Sequence, residues 1–187
     1  RGFRRQPLPE AVGFGLGQGA VCLITGGFGG IGLSIAERLV ADHGARLVLL
    51  GRTPMPPRAD WPGLLARRDP LDRMVRRIRA VERLEALGAE VMVATADVCN
   101  IEEMRAMRAE VEARFGPVAA VIHAAGVVDD GPLLAKGPGS VEEVFAPKVH
   151  GTQVIDSVFP DGDIALLVLF SSTSTATAPA GQIDYVA

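Results

Sequence analysis

Short apolar runs recur along the chain and alternate with amphipathic segments. Five runs, at residues 21–24, 46–50, 91–95, 119–122 and 164–170, are continuous rather than alternating in polarity. Continuous runs are typical of parallel strands that are buried on both faces. Because helical patterns separate them, we predict an α/β fold with a doubly wound parallel sheet. Right-handed crossovers then predict the strand order 3-2-1-4-5.

The helical segments are recognised by apolar residues that recur at helical spacing. Three stripes cover residues 31–41, 71–87 and 104–115, and a fourth begins at residue 141. We expect Pro147 to kink the fourth helix, because proline has no N–H and its ring clashes with the preceding turn.

Residues 53–70 interrupt this alternation, because they hold five prolines and the only tryptophan, Trp61. We predict an inserted surface loop that packs through Trp61, Leu64 and Leu65. Residues 52–85 contain nine arginines against five acidic residues. A basic region beside a phosphate and a solvated helix face are both consistent with this excess, and we interpret most of these arginines as the second.

The junction of the first strand and the first helix carries the glycine-rich segment Thr25-Gly-Gly-Phe-Gly-Gly-Ile-Gly32. Gly27, Gly29 and Gly32 have the G-x-G-x-x-G spacing of Rossmann-like dinucleotide-binding folds. Glycine permits the tight turn and lets backbone N–H groups approach a pyrophosphate, and the helix N-terminus adds its positive dipole. The order of strand, glycine turn and helix favours such a site over a glycine-rich hairpin turn.

The end of the second strand indicates which dinucleotide is bound. In NAD-binding domains an acidic residue at this place holds the ribose 2′-OH, whereas this chain has Gly51-Arg52-Thr53. A guanidinium pairs with a 2′-phosphate, which a carboxylate would repel. We therefore predict NADP(H), in preference to a strand-end arginine that faces water. Asp97, just after the third strand, is a weaker candidate for accepting a hydrogen bond from the adenine amino group.

Composition narrows the functional classes further. The 187 residues suffice for one domain with a core, and the net charge of −3 with 5% aromatic residues argues against nucleic-acid binding. The sequence has no apolar run of membrane-spanning length, no signal-peptide pattern and no histidine spacing typical of a metal site.

We interpret Cys22 and Cys99 as reduced thiols of a cytoplasmic protein. We expect residues 1–19 to be a linker from a preceding domain and residues 20–187 to be the catalytic domain.

Several motifs together resemble a short-chain dehydrogenase/reductase and, more narrowly, the ketoreductase domain of a modular type I polyketide synthase. The resemblance runs from about Gly19 to the last residue. It rests on Thr25–Gly32, Gly51–Thr53, Ala96–Val98, His123–Gly126, Lys148, Phe170–Ser172 and Tyr185.

The resemblance implies that NADPH is held by the glycine turn, the ends of the second and third strands, and the loop after the fourth strand. The implied residues are Thr25, Gly26, Gly27, Phe28, Gly29, Gly30, Ile31, Gly32, Gly51, Arg52, Thr53, Asp97, Val98, Ala124, Ala125 and Gly126. His123, which opens that loop, is interpreted as a packed residue rather than as an acid or base.

A carbonyl reductase needs a proton donor and a group that polarises the carbonyl. The resemblance assigns these roles to Tyr185, the only tyrosine, and to Ser172, thirteen residues earlier. Lys148, on the predicted fourth helix, would lower the pKa of the tyrosine and contact the nicotinamide ribose. Without the resemblance, Tyr185 could equally be a surface or core aromatic residue, Ser172 a strand-end cap and Lys148 a surface lysine.

The resemblance extends to stereochemistry. The segment Val127-Val128-Asp129-Asp130 is similar to the Leu-Asp-Asp motif of B-type ketoreductases, in which the second aspartate, here Asp130, is diagnostic. Thr177 stands where A-type domains have a tryptophan, and Ala187 stands where epimerising B-type domains have a proline. The implied product has the D configuration and an unchanged α-centre. The alternative is that the two aspartates simply begin a polar turn.

The implied substrate is a β-ketoacyl thioester tethered by phosphopantetheine to an acyl carrier protein, reduced within a multifunctional synthase. Two alternatives are a free-standing NADP-dependent dehydrogenase of small alcohols or sugars and a non-reducing NADPH-binding scaffold. In the family, further helices and two strands follow the tyrosine. We therefore expect the chain to be part of a longer polypeptide, to expose apolar surface on strands four and five, and to be poorly active alone.

Overall fold

A computed structural model describes residues 5–7 and 15–186 of the chain. Most of the predicted linker, residues 1–4 and 8–14, therefore lies outside the described residues, as does Ala187.

Five parallel strands form one sheet in the order β3-β2-β1-β4-β5. The strands are β1 (Val21–Thr25), β2 (Arg46–Gly51), β3 (Val91–Thr95), β4 (Val118–His123) and β5 (Leu166–Leu169). This arrangement confirms the predicted Rossmann-like topology. Thr25 pairs with Leu50 on one side and with His123 on the other, so three strands end together at the carboxyl edge of the sheet.

Helices connect the strands and cover both faces of the sheet. They are α1 (Gly30–His43), α2 (Trp61–Arg67), α3 (Arg73–Ala86), α4 (Ile101–Phe115), α5 (Pro138–Lys148), α6 (His150–Val158) and α7 (Ser174–Thr177). Short 3-10 turns occupy Arg58–Asp60 and Leu133–Ala135. None of the helices within the described ranges combines the length and the apolar character needed to cross a membrane.

The alternation of side chains along each strand divides the core into two layers. Leu23 of β1 packs in the layer that contains Met104 of α4 and Ile155 of α6. Its neighbour Ile24 packs in the opposite layer, with Val40 of α1 and side chains of α3. Both faces of the sheet are therefore buried, which explains why the apolar runs are continuous in the sequence.

The helix predicted around Pro147 is divided rather than merely kinked. Helix α5 ends at Lys148, and α6 begins at His150. A proline near the end of a helix removes one backbone donor, so the chain can change direction at little cost. The Thr152 hydroxyl donates a hydrogen bond of 2.6 Å to the carbonyl of Lys148, which stabilises the junction.

The loop predicted for residues 53–70 contains helix α2, so that part of the prediction was wrong. Pro62 occupies the first turn of this helix, where proline is favoured because its missing N–H would have no intrahelical partner. The predicted packing is confirmed: Trp61 is buried, and Leu64 and Leu65 contact the same core layer. The Trp61 indole N–H donates to the carbonyl of Pro56 at 3.0 Å.

Apolar exposure at the end of the sheet is confined to the edge strand. Leu167 and Leu169 of β5 are 40% and 49% exposed. In contrast, β4 is buried, because it lies between β1 and β5 and its residues belong to both core layers. The expectation of exposed apolar surface is thus confirmed for strand five and wrong for strand four.

Leu84 and Leu87 allow a matched test of this packing, because they lie one turn apart with 0% and 55% exposure. We expect Leu84→Ala to lower the free energy of unfolding by about 2–5 kcal/mol, since it leaves a cavity in the core. The same change at Leu87 should cost no more than roughly 0.5 kcal/mol. Urea unfolding followed by circular dichroism measures both values, and equal losses would contradict the described core.

Candidate active site

A cavity of about 1050 Å³ opens at the carboxyl edge of the sheet. This edge is where open α/β sheets bind ligands. Twelve of the sixteen residues predicted to hold the cofactor line the cavity. The four that do not are Gly27, Ile31, Gly32 and Thr53.

The glycine turn folds closely against its surroundings. Gly26 has a φ of +64°, and a Cβ at this position would lie 2.8 Å from the Ala124 carbonyl oxygen. A Cβ at Gly27 would lie 2.9 Å from the Ile24 carbonyl oxygen, and one at Gly32 would lie 2.8 Å from the Gly26 carbonyl oxygen. Gly27 and Gly32 thus permit the tight turn itself rather than contact with a ligand.

The opposite side of the turn is open. A Cβ at Gly30 would meet no atom within 4 Å. The N-cap residue of α1, Gly29, provides no side-chain cap, and the first turn of this helix contains no acidic residue. The first turn of α1 therefore offers N–H groups and the helix dipole to an anion with no acidic side chain of its own to compete, which suits a pyrophosphate.

Arginines form one wall of the cavity. Arg52 lines it as the sequence predicted, and Arg73, Arg76 and Arg77 of α3 line it as well. The interpretation of most arginines in residues 52–85 as a solvated helix face stays a prediction, because Arg73 and Arg76 line the cavity and are also exposed. The spacing of residues along a helix predicts which of them share a face. It does not predict what that face lies against, because this depends on the tertiary fold.

Asp97 also lines the cavity, and part of its hydrogen-bonding capacity is used locally. Its carboxylate accepts from the backbone N–H of Cys99 at 2.9 Å, and its own N–H donates to Glu103 at 2.7 Å. These contacts fix the loop after β3, and the predicted contact with adenine stays a prediction.

His123 lies at the centre of a buried hydrogen-bond network. Its Nε2 is 2.7 Å from the carbonyl oxygen of Pro147, and its Nδ1 is 2.7 Å from the Thr25 hydroxyl. A carbonyl only accepts, so Nε2 carries the proton and Nδ1 accepts from the threonine. The Thr25 oxygen in turn accepts from the Ala125 N–H at 3.3 Å. The interpretation of His123 as a packed residue is confirmed, because it is buried.

Lys148 follows directly after the proline that this network holds. Its Nζ donates to the Phe170 carbonyl oxygen at 2.8 Å, across the gap between α5 and the end of β5. A Cβ at Gly126 would lie 3.1 Å from the Cε of Lys148, so glycine makes room for the lysine stem. Burial lowers the pKa of Lys148.

Ser172 and Tyr185 lie on the segment that follows β5. The Ser172 hydroxyl accepts from the Ser174 N–H at 3.1 Å, and the half-buried Tyr185 donates its backbone N–H to Asp184 at 2.9 Å. Over residues 15–186, no hydrogen bond joins the side chains of Ser172, Tyr185 and Lys148. The structure does attach Lys148 to Phe170, two residues before Ser172.

Asp130 is connected to the segment that precedes Tyr185. Its carboxylate accepts from the Gln182 side-chain amide at 2.9 Å. The backbone N–H of Gly131 donates to the carbonyl of Gly181 at 2.8 Å. The predicted stereocontrol residue and the predicted proton donor are therefore carried by two segments that bind each other.

A buried ion pair joins the same two segments. The Lys136 ammonium lies 2.7 Å from Asp184 and 3.1 Å from the carboxylate of Asp129, and the Lys136 and Asp184 side chains are 4% and 1% exposed. The hydrogen bond between Lys136 and Asp184 raises the pKa of the lysine and lowers that of the aspartate. Sequence reasoning missed this pair, because its members are far apart in the chain and neither belongs to a motif.

Comparison with known proteins agrees with this geometry. The family model for the KR domain matches residues 20–187.

The chain belongs to the KR domain family.

Relatives of this KR domain are found among polyketide synthases. The chain is 41% identical to a phenolphthiocerol/phthiocerol polyketide synthase of Mycobacterium tuberculosis, over 90% of the chain and 9% of that protein. It is 35% identical to the 6-methylsalicylic acid synthase of Aspergillus terreus, over 87% of the chain and 9% of that protein. The chain thus spans about a tenth of the length of these relatives.

A solved structure, described as an N-terminal ketoreductase from the macrolactin assembly line, is similar to the KR domain throughout. The TM-score is 0.80 with 32% identity, over 98% of this chain and 33% of that one. This likeness extends to the order of the strands and the flanking helices.

The buried position of His123 predicts a specific dependence of stability on pH. Burial is the main cause that lowers the pKa of His123, with a smaller effect from the charge of Lys148. The unfolded chain takes up this proton near pH ~6.5, while the folded KR domain resists it. The contribution to stability is therefore complete above that pH and decreases as the pH falls.

We expect the free energy of unfolding in urea to fall more steeply between about pH 7 and pH 5.5 for the wild type than for His123→Gln. Glutamine keeps a donor and an acceptor but does not titrate. His43 and His150 are present in both proteins, so their contributions cancel. Equal slopes for the two proteins would show that the folded state tolerates the charged imidazole.

Proposed function

We propose that this KR domain reduces a β-ketoacyl thioester to a β-hydroxyacyl thioester with NADPH during polyketide chain extension. The observation that carries the proposal is the cavity at the carboxyl edge, which brings the glycine turn, Arg52 and the Gly126 loop around one space. Membership of the KR domain family supports the same reaction.

The residues around this cavity suit the parts of NADPH. The open N-terminus of α1 would hold the pyrophosphate, and Arg52 would pair with the 2′-phosphate. Asp97 would accept from the adenine amino group. When bound, the cofactor supplies a hydride to the carbonyl carbon. The loop of Ala124, Ala125 and Gly126 would form the floor beneath it.

Side chains of the protein would supply the proton that the substrate oxygen takes up. Tyr185 would donate its phenolic proton to the alkoxide that develops at the substrate oxygen, and Ser172 would donate a hydrogen bond to the same oxygen. The Lys148 ammonium has three N–H groups, of which one is used by the Phe170 carbonyl. The remaining donors and the charge would favour ionisation of a nearby phenol, since partial burial reduces screening by water.

Stereocontrol is part of the proposal. Asp130 would direct the substrate to one face of the nicotinamide, as in B-type domains, and the product would have the D configuration with an unchanged α-centre. The hydrogen bond between Asp130 and Gln182 supports this role, because it places the Asp130 loop against the segment that leads to Tyr185.

The partners follow from the reaction. We infer that the substrate is delivered on the phosphopantetheine arm of an acyl carrier protein and that the KR domain, over residues 20–187, works beside other domains of one synthase. The length of its relatives supports this, because the chain spans 9% of each. The free thiols of Cys22 and Cys99 suit a reducing, cytoplasmic compartment.

The decisive experiment follows oxidation of NADPH by the purified full-length polypeptide, since residues 1–187 alone are expected to be poorly active. The substrate is a β-ketoacyl thioester, and the product is analysed for chirality. We expect NADPH-dependent turnover that Tyr185→Phe lowers by roughly 100-fold or more, because the proton donor is lost. The Phe variant should still bind NADPH. NADH should support turnover poorly.

The outcomes separate the competing functions. Tight NADPH binding without turnover would favour a non-reducing scaffold. Turnover of small alcohols or sugars in preference to thioesters would favour a free-standing dehydrogenase. An L-configured product from an otherwise active enzyme would contradict the role of Asp130 in stereocontrol but not the proposed reduction.

A further inference from the structure

We propose that Arg77 is a second specificity-determining residue for the adenosine 2′-phosphate, acting together with Arg52 in the same wall of the cavity. The inference rests on the proposed use of NADPH and deepens it. It is drawn from the position of the Arg77 side chain, from the lack of an ion pair between Arg77 and any described carboxylate, and from the ion pairs that neighbouring arginines form.

Arg77 spans the two segments that flank the predicted phosphate position. Its guanidinium carbon lies 5.1 Å from the centre of the Phe28 ring, within the glycine turn. One of its terminal nitrogens donates to the Thr53 carbonyl oxygen at 3.1 Å, immediately after Arg52. The stacking and the hydrogen bond together orient a planar, five-donor group, of which one donor is used by the Thr53 carbonyl.

The charge of this wall is not neutralised by the protein. Other arginines of the same region form ion pairs: Arg58 with Glu85, Arg68 with Asp72, and Arg83 with Glu37. Throughout the part of the chain that the structure describes, no carboxylate lies within 4.0 Å of the cationic groups that line the cavity. These groups belong to Arg52, Arg73, Arg76 and Arg77.

Arg77 is also the member of this group whose charge is least well solvated. It is half-buried, whereas Arg52, Arg73 and Arg76 are exposed. Burial, and next the charge of Arg73, lower the pKa of Arg77. A partly desolvated cation beside a like charge is stabilised by an anion that enters the cavity. A phosphate suits this role, because it accepts two parallel N–H bonds from a guanidinium and carries more negative charge than a carboxylate.

The acidic residues of the cavity do not take this role. Asp97 and Glu143 line the cavity, yet neither forms an ion pair with the α3 arginines. The Asp97 carboxylate accepts from the Cys99 N–H instead. The unbalanced positive charge is therefore confined to the side of the cavity between Arg52 and α3, where a 2′-phosphate would lie next to Thr53.

The test compares two nucleotides that differ only in the 2′-phosphate. Adenosine 2′,5′-bisphosphate and adenosine 5′-monophosphate are titrated calorimetrically into the purified wild-type protein and the variants Arg77→Gln, Arg52→Gln and Arg79→Gln. Arg79 is the matched control, because it lies on the same helix, is exposed, and does not line the cavity. NADPH and NADH are measured in parallel.

We expect Arg77→Gln to weaken binding of the bisphosphate by about tenfold or more, since a charge-assisted hydrogen bond pair is lost. Binding of the monophosphate should change by less than about twofold, and Arg79→Gln should leave both affinities unchanged.

If Arg77→Gln lowers the thermal stability of the protein, Arg77→Lys replaces it. Lysine keeps the charge and the stem but not the planar fork, so a smaller, selective loss of roughly two- to fivefold is expected.

The failures are distinguishable. If Arg52→Gln abolishes the preference for the 2′-phosphate while Arg77→Gln behaves like Arg79→Gln, the inference about Arg77 is wrong and the proposed function stands. If the wild type itself does not distinguish NADPH from NADH, the proposed cofactor is wrong and Arg77 has no such role.

Discussion

The hydrogen-bond network around His123 is the interaction on which the arrangement of the site depends. It connects the end of β1 through Thr25, the end of β4 through His123 itself, and the junction between α5 and α6 through the Pro147 carbonyl. The neutral imidazole fits this network, with Nε2 donating to the Pro147 carbonyl and Nδ1 accepting from the Thr25 hydroxyl. The burial that lowers the pKa of His123 keeps it in that state. The position of Lys148, one residue after Pro147, follows from this network.

The close packing of the glycine turn works together with that network. The turn approaches the loop after β4 so closely that a methyl group at Gly26 would overlap the backbone of Ala124. The same loop is fixed from beneath by the hydrogen bond between Ala125 and Thr25. The loop after β4 and the glycine turn are therefore packed directly against each other, which suits a site that must hold a dinucleotide in a fixed orientation.

The pairing of positively charged side chains differs between the end of the site near Arg52 and the end near Tyr185. Among the described residues, no carboxylate lies within 4.0 Å of the guanidinium groups of Arg52, Arg73, Arg76 and Arg77, so this end suits an anionic ligand. Near Tyr185, the positive charge is paired within the protein, because the Lys136 ammonium contacts the carboxylates of Asp129 and Asp184. A buried pair of this kind adds little net stability, but it restricts which arrangements of the two segments are tolerated. The unpaired arginines thus suit the binding of a ligand at one end of the site. The ion pairs of Lys136 hold two loops together at the other end.

Much of the fold could be predicted from the sequence, because its signals are local or periodic. Continuous apolar runs identified the five strands to within two or three residues, and the glycine spacing identified the turn. Helix α2 was missed because its short apolar pattern lies among prolines. Prolines usually indicate a loop, so the predicted packing of Trp61 did not reveal that the segment is helical over Trp61–Arg67.

The sequence by itself determined the α/β topology, the glycine turn, and the set of residues that could carry the chemistry, since each depends on neighbours in the chain. Only the tertiary structure decided which of them meet. It brought Arg77 over Phe28, His123 under Pro147, and Lys136 against Asp184, which are pairs 24 to 49 residues apart. The physical reason is that such contacts are set by the packing of helices on the sheet and by loop closure, and neither leaves a periodic trace in the sequence.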